Sequence, residues 1–202
     1  MALLILVAYA GRASSGKPSD QVLYQWSTAI GGLIQDAVVL VVILAIARPK
    51  WSLLGLRRPR SIGDAVGYCF ATIVGVYILE GIYAALTHPG NEQGLTPSHW
   101  EPRHATAYVV NALVICTWVP FVEELAYRGL GYSLLERFGR WPAILAVGVI
   151  FGLSHGLLVS LPVLVLFGCA LAWIRSETRS VVPGMVLHGT FNLVALVFAV
   201  VH

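Results

Sequence analysis

The chain has 202 residues, 57% of them hydrophobic and 11% charged, with mean hydropathy +0.78 and net charge +3. Soluble globular domains carry about 25% charged residues, so the composition excludes one and describes an integral membrane protein. The positive charge does not point to nucleic acid, because the basic residues cluster at segment ends, where membrane topology accounts for them.

The apolar stretches are continuous and do not alternate with period two, which favours helices over a barrel. The fold class expected is all-α, a polytopic transmembrane helix bundle of about six to eight membrane helices. A single membrane domain covers 1–202, with a motif-bearing core at about 105–195. Met1–Ala10 is apolar but too short to span. It lacks the positively charged start of a signal peptide and reads as an incomplete or re-entrant helix.

Six stretches follow, at 22–47, 62–86, 105–128, 142–159, 161–174 and 182–201, judged against about 20 apolar residues per crossing. The 161–174 stretch is short, so a tilted, re-entrant or longer helix is expected there. Pro142, Pro162 and Pro183 sit where helices would begin, and Ser160 is placed to cap the segment that Pro162 opens. Trp26, Trp51, Trp100, Trp141 and Trp173 lie mostly near span ends, as an interfacial belt requires. Cys69, Cys116 and Cys169 are odd in number and lie in apolar stretches, so they read as packing thiols.

Orientation follows from loop charge. Arg48, Lys50, Arg57, Arg58 and Arg60 follow the first span, Arg137 and Arg140 the third, and Arg175 and Arg179 the fifth. The loop 87–104 balances Arg103 against Glu92 and Glu101, and the turn near Ser160 is uncharged. The basic loops are therefore expected in the cytoplasm.

Three polar motifs interrupt the apolar segments: Glu123-Glu124-Leu-Ala-Tyr-Arg128, Phe151-Gly-Leu-Ser-His155 and His188-Gly-Thr-Phe-Asn192. Ionisable groups are costly in a bilayer and usually face a protein interior or a water-filled cavity. Residues four apart share a helix face, which pairs Glu124 with Arg128. Glu123 points elsewhere, on the face of Tyr127, and is free to take a proton. Pro120, one turn earlier, is expected to kink the helix. His155 lies between Gly152 and Gly156, small residues that allow close helix approach. His188 and Asn192 project together as two donors, which suits an oxyanion site. Asp36 and Glu80 read as isolated, and Asn111 as a packing amide.

The order EExxxR, FxxxH, HxxxN on successive apolar helices resembles the CAAX protease and bacteriocin-processing family, whose eukaryotic branch is the type II CAAX prenyl endopeptidase. The positions matched are Glu123, Glu124, Arg128, Phe151, His155, His188 and Asn192, within roughly 105–195. The resemblance implies a metal-independent glutamic endopeptidase of a bacterial plasma membrane, with no cofactor. It implies catalytic Glu123 and His155 activating water, His188 and Asn192 holding the oxyanion, and Glu124 and Arg128 supporting the site or positioning substrate. Its partners would be membrane lipid and a peptide or protein substrate, prenylated or CaaX-like among the candidates.

Two rivals compete with that reading. One is a zinc protease using Glu123, His155 and His188, a known catalytic ligand set. The other is a non-enzymatic immunity factor, scaffold or transporter subunit in which the polar residues only clamp helices.

Overall fold

The computed structural model describes Tyr9, Ser19, 21–48, 50–88, Glu92, Pro97 and 100–201, and it contains six helices and no strand among them. In chain order these are α1 (Trp26–Ala47), α2 (Ile62–Thr87), α3 (Pro102–Phe138), α4 (Arg140–Ser154), α5 (Leu161–Thr178) and α6 (Val182–Val201). All but α4 are long and apolar enough to cross a membrane. The reading of Met1–Ala10 lies outside the described residues, Tyr9 apart.

The outward faces explain the composition. Ile34, Val38 and Val41 on α1 and Phe70, Ile78 and Leu86 on α2 are exposed. Apolar area of this extent, contiguous along a helix, marks a surface that meets lipid and not water. Trp26, Trp51, Trp100 and Trp141 are also exposed at or near helix ends. Trp173 instead packs edge-on against Tyr68, so it belongs to the interior and not to the belt. Asn111 is a packing amide, its Nδ2 3.0 Å from the carbonyls of Leu23, Gln25 and Ala107. The three cysteines are free.

Two boundaries differ from expectation, and the short 161–174 stretch takes the longer of its expected forms. The third span runs to Phe138 as one long helix of 37 residues. The fourth ends at Ser154, because Gly156 adopts φ +66°, a left-handed conformation that stops the helix. Gly156 therefore terminates α4. The fifth continues past 174 to Thr178, because Arg175 is buried and bonded within the protein, its Nε donating to the Arg128 carbonyl.

Within α3 the hydrogen-bond frame widens twice, into π-helix at Val114–Trp118 and again at Leu125–Gly131. The regular turn Val119–Glu124 between them holds Pro120 and both glutamates. A π turn just before Pro120 shifts the bonding frame where the proline has no N–H to give. The expected proline effect thus takes the form of a bulge, a feature common at functional sites.

Helices α4 and α5 cross closely through Gly148, Gly152 and Gly168. A Cβ on Gly152 would lie 2.6 Å from Val165 Cγ2, and one on Gly168 2.9 Å from Gly148 Cα. Ser160 occupies the N-cap of α5 but makes no capping bond with its side chain. Glu92 instead clamps the connection that leads into α5, its carboxylate accepting from the N–H groups of Leu158, Val159 and Ser160 at 2.7, 3.2 and 2.9 Å.

Candidate active site

The three motifs meet in the interior where α3, α4, α5 and α6 pack together. Glu124 and Arg128 are fully buried, with Arg128 Nη1 donating to Glu124 Oε1 at 2.8 Å. The second arm of Arg128 donates to the Gly168 carbonyl at 3.1 Å, and its guanidinium lies 4.3 Å from the Phe151 ring centroid. This arginine therefore ties α3 to both α4 and α5.

His188 reaches the same carboxylate from α6, its Nδ1 3.3 Å from Glu124 Oε1. A carboxylate already paired with arginine accepts, so Nδ1 carries the proton and donates. The Nε2 of His188 faces Glu123, 3.8 Å from Oε2. That Glu123 oxygen has no hydrogen-bond partner, and the Glu123 side chain keeps 23% of its surface exposed. The two adjacent glutamates are thus in different states, one locked by charge and one open.

His155 follows the last turn of α4, with Nδ1 2.8 Å from the Phe151 carbonyl. A carbonyl only accepts, so Nδ1–H donates and Nε2 is left as the basic nitrogen. Phe151, fully buried, touches the edge of both imidazoles, at 4.7 Å from His155 and 5.7 Å from His188 between centroids. No hydrogen bond joins Glu123 to His155 among the described residues. Asn192 donates from Nδ2 to the Ile115 carbonyl in the first π segment at 2.9 Å, leaving its second N–H. The expected set is brought together, with Asn192 on the α3 backbone and one residue pair unbridged.

The zinc set does not form: among the described residues no three His, Cys, Asp or Glu side chains gather as metal ligands.

Several residues at the site escaped the sequence reading. Asp36 on α1 is buried with Oδ2 unpartnered and lies near Glu123 and Tyr127 of α3. The Tyr127 hydroxyl donates to Ser154 Oγ at 2.7 Å, fixing α3 to the end of α4 beside His155. Gly184 lets α6 press on the carboxylate, since a Cβ there would sit 2.6 Å from Glu124 Oε2. Gly189 does the same at the first π segment, where a Cβ would collide with the Cys116 carbonyl. Gly184 lies beside Pro183, read as a helix start, and Gly189 within the His188–Asn192 motif, and that placement was the available signal.

Residues 105–194 match the family model described as type II CAAX prenyl endopeptidase Rce1-like. This segment of the chain is similar to that family. It takes in all three motifs, and the likeness points to a protease working in a membrane. The Rce1-like segment begins at the start of α3 and ends in α6, so α1 and α2 lie outside it. No curated protein and no solved structure matches the chain.

Proposed function

We propose that the chain is a metal-independent intramembrane glutamic endopeptidase acting on membrane-associated peptides. The observation that carries it is the division of the glutamates: Glu124 held by Arg128 and His188, Glu123 with an unpartnered oxygen facing the imidazole of His188.

In this reading a water molecule sits between Glu123 and the free Nε2 of His155, in the gap that no direct bond closes. The water oxygen attacks the scissile carbonyl carbon while its proton passes to the Glu123 carboxylate and His155 Nε2 accepts a hydrogen bond from its other O–H. The carbonyl oxygen becomes an oxyanion and takes the second N–H of Asn192. An imidazolium at His188 would donate from both nitrogens, one to Glu124 and one to that oxyanion. The proton taken from water then passes to the leaving amine, and the C–N bond breaks. Glu124 and Arg128 keep the motif-bearing helices in register.

Prenylated and CaaX-like peptides are the first substrates to try, and the basic loops would face the cytoplasm of a bacterial plasma membrane. The deciding experiment incubates purified protein with a peptide library, prenylated and unprenylated, and reads cleavage by mass spectrometry. Products formed by the wild type and absent with Glu123→Gln support the reading. Products formed equally by Glu123→Gln overturn it, since an amide cannot take the proton from water.

A further inference from the structure

Four arginines line one cavity of about 320 Å³ at the end of the bundle that carries the basic loops: Arg57, Arg58, Arg60 and Arg179. Topology accounts for arginines at this end, but not for four of them converging on one cleft from two separate connections. The fold draws them together deliberately. Gly55, at φ +64°, turns the α1–α2 connection over the buried Arg175 guanidinium and accepts from Val181 N–H at 3.1 Å. Arg57 Nε then donates to the Arg179 carbonyl at 2.7 Å, and Arg60 N–H to the Thr178 carbonyl at 3.3 Å. Ser180 Oγ closes the strap by donating to the Arg57 carbonyl.

The charge in the cleft is only partly balanced. Arg179 pairs with Glu136 at 2.6 Å, while Arg58 and Arg60 are exposed and have no ion pair or side-chain hydrogen bond among the described residues. The fifth guanidinium, Arg175, lies buried beneath, with Nη1 unpartnered. The amino ends of α2 and α6 begin at Ile62 and Val182, immediately beyond Arg60 and Arg179, and add their positive dipole ends. Beside the cleft, Leu56, Ile62 and Val182 are exposed apolar side chains. A strongly cationic cleft rimmed by lipid-facing residues at a span end fits a phosphate that carries acyl chains.

We propose that this cleft is a binding site for the headgroup of an anionic phospholipid. Guanidinium forks pair with phosphate oxygens in bidentate geometry, and the rim of Leu56, Ile62 and Val182 lies against the start of the acyl chains. The site is separate from the glutamates of α3 and does not depend on the chain being a protease.

The test titrates the detergent-purified full chain with phosphatidylglycerol, phosphatidylcholine or inorganic phosphate and counts bound lipid by native mass spectrometry. Arg58→Ala with Arg60→Ala removes the two guanidiniums that hold no part of the fold. That double variant should weaken phosphatidylglycerol binding about tenfold or more, from about 1 kcal/mol per arginine near a membrane surface. Lys50→Ala with Arg137→Ala, removing equal charge from the same end, should change it far less, and phosphatidylcholine should bind weakly throughout. Equal losses in the two double variants would reduce the cleft to general surface charge and overturn the proposal. So would unchanged binding in Arg58→Ala with Arg60→Ala, or displacement of phosphatidylglycerol by inorganic phosphate at matching concentration.

Discussion

His188 Nδ1 lies 3.3 Å from Glu124 Oε1, and that one contact determines which imidazole nitrogen turns towards Glu123. Glu124 already accepts from Arg128 on the same oxygen, so the histidine must donate there and present Nε2 to the open carboxylate. Substitution can separate the two ends of the ring. His188→Asn places an amide N–H near the Nδ1 position and removes Nε2, so it should fold nearly normally and lose cleavage. His188→Gln reaches the Nε2 position instead and abandons Glu124, so it should melt earlier. Melting temperatures and rates measured on the same preparations check the pair. Equal melting losses in both would show that the Nδ1 contact holds nothing.

The Glu124–Arg128 pair is fully buried, and removing one partner leaves the other charge uncompensated. Breaking such a pair costs about 3–5 kcal/mol. Glu124→Ala and Arg128→Ala should each lower the melting temperature sharply, and the double variant should recover part of the loss. Arg128 also holds the Gly168 carbonyl and lies over Phe151, so recovery should be incomplete. A double-mutant cycle measures the coupling; simple addition of the two losses would show none.

Gly184 is where α6 touches the paired carboxylate. An added methyl would lie 2.6 Å from Glu124 Oε2, and Glu124 cannot swing aside without leaving Arg128 and His188. Gly184→Ala should destabilise by about 1–3 kcal/mol, the usual range for overpacking, and should reduce cleavage. Gly67→Ala on α2 meets nothing within 4 Å and is the matched control. It should be neutral or slightly stabilising, as alanine is in a helix.

Motif spacing made the site legible because a helix converts sequence distance into direction, and that arithmetic holds for Glu124 with Arg128. It was less reliable where the helix is irregular. The span containing Pro120 was expected to kink, whereas the chain answers with π turns on both sides of the glutamates. His155 was placed inside a helix that in fact ends one residue earlier, since Gly156 reads as a packing glycine until its positive φ is known. Asp36 reads as isolated because its neighbours Glu123 and Tyr127 are on another helix, a relation that no spacing within α1 encodes. Ser160 is the natural cap by composition, yet its side chain makes no capping bond, and Glu92, far away in sequence, holds the connection before the helix.

That Glu92 clamp should be sensitive to acid. Burial pushes the Glu92 carboxyl up, but bonds from the N–H groups of Ser160, Leu158 and Val159 outweigh it and hold the group below its ordinary value of 4.5. A carboxylate depressed in the folded state contributes stability that is present above its unfolded value and is lost as pH falls through the folded one. The connection between α4 and α5 should therefore exchange its amide hydrogens faster, relative to their intrinsic rate at the same pH, as pH falls below the ordinary carboxylate value. Glu92→Gln should show that faster exchange already at neutral pH, with little further change on acidification. Hydrogen exchange read by mass spectrometry over residues 156–162 decides it. Acid-sensitive exchange of equal size in Glu92→Gln would assign the effect to another group.

Asn192 offers the sharpest separation of catalysis from clamping. One N–H of its amide is bound to the Ile115 carbonyl, at the widened turn where α3 has a carbonyl available, and the second remains. If the second N–H meets the oxyanion, Asn192→Ala should lower kcat about 10²–10³-fold, the usual effect of losing one preorganised donor, with KM little changed. Loss of the Ile115 bond should also cost about 1 kcal/mol of stability. Asn192→Asp tests the same point from the other side, since its carboxylate meets both the carbonyl and the oxyanion with lone pairs and should be worse than alanine in rate. A clamp with no catalytic part predicts early melting with normal turnover in the protein that stays folded. Measuring kcat, KM and melting temperature together distinguishes the two, and normal turnover in Asn192→Ala would remove Asn192 from the mechanism.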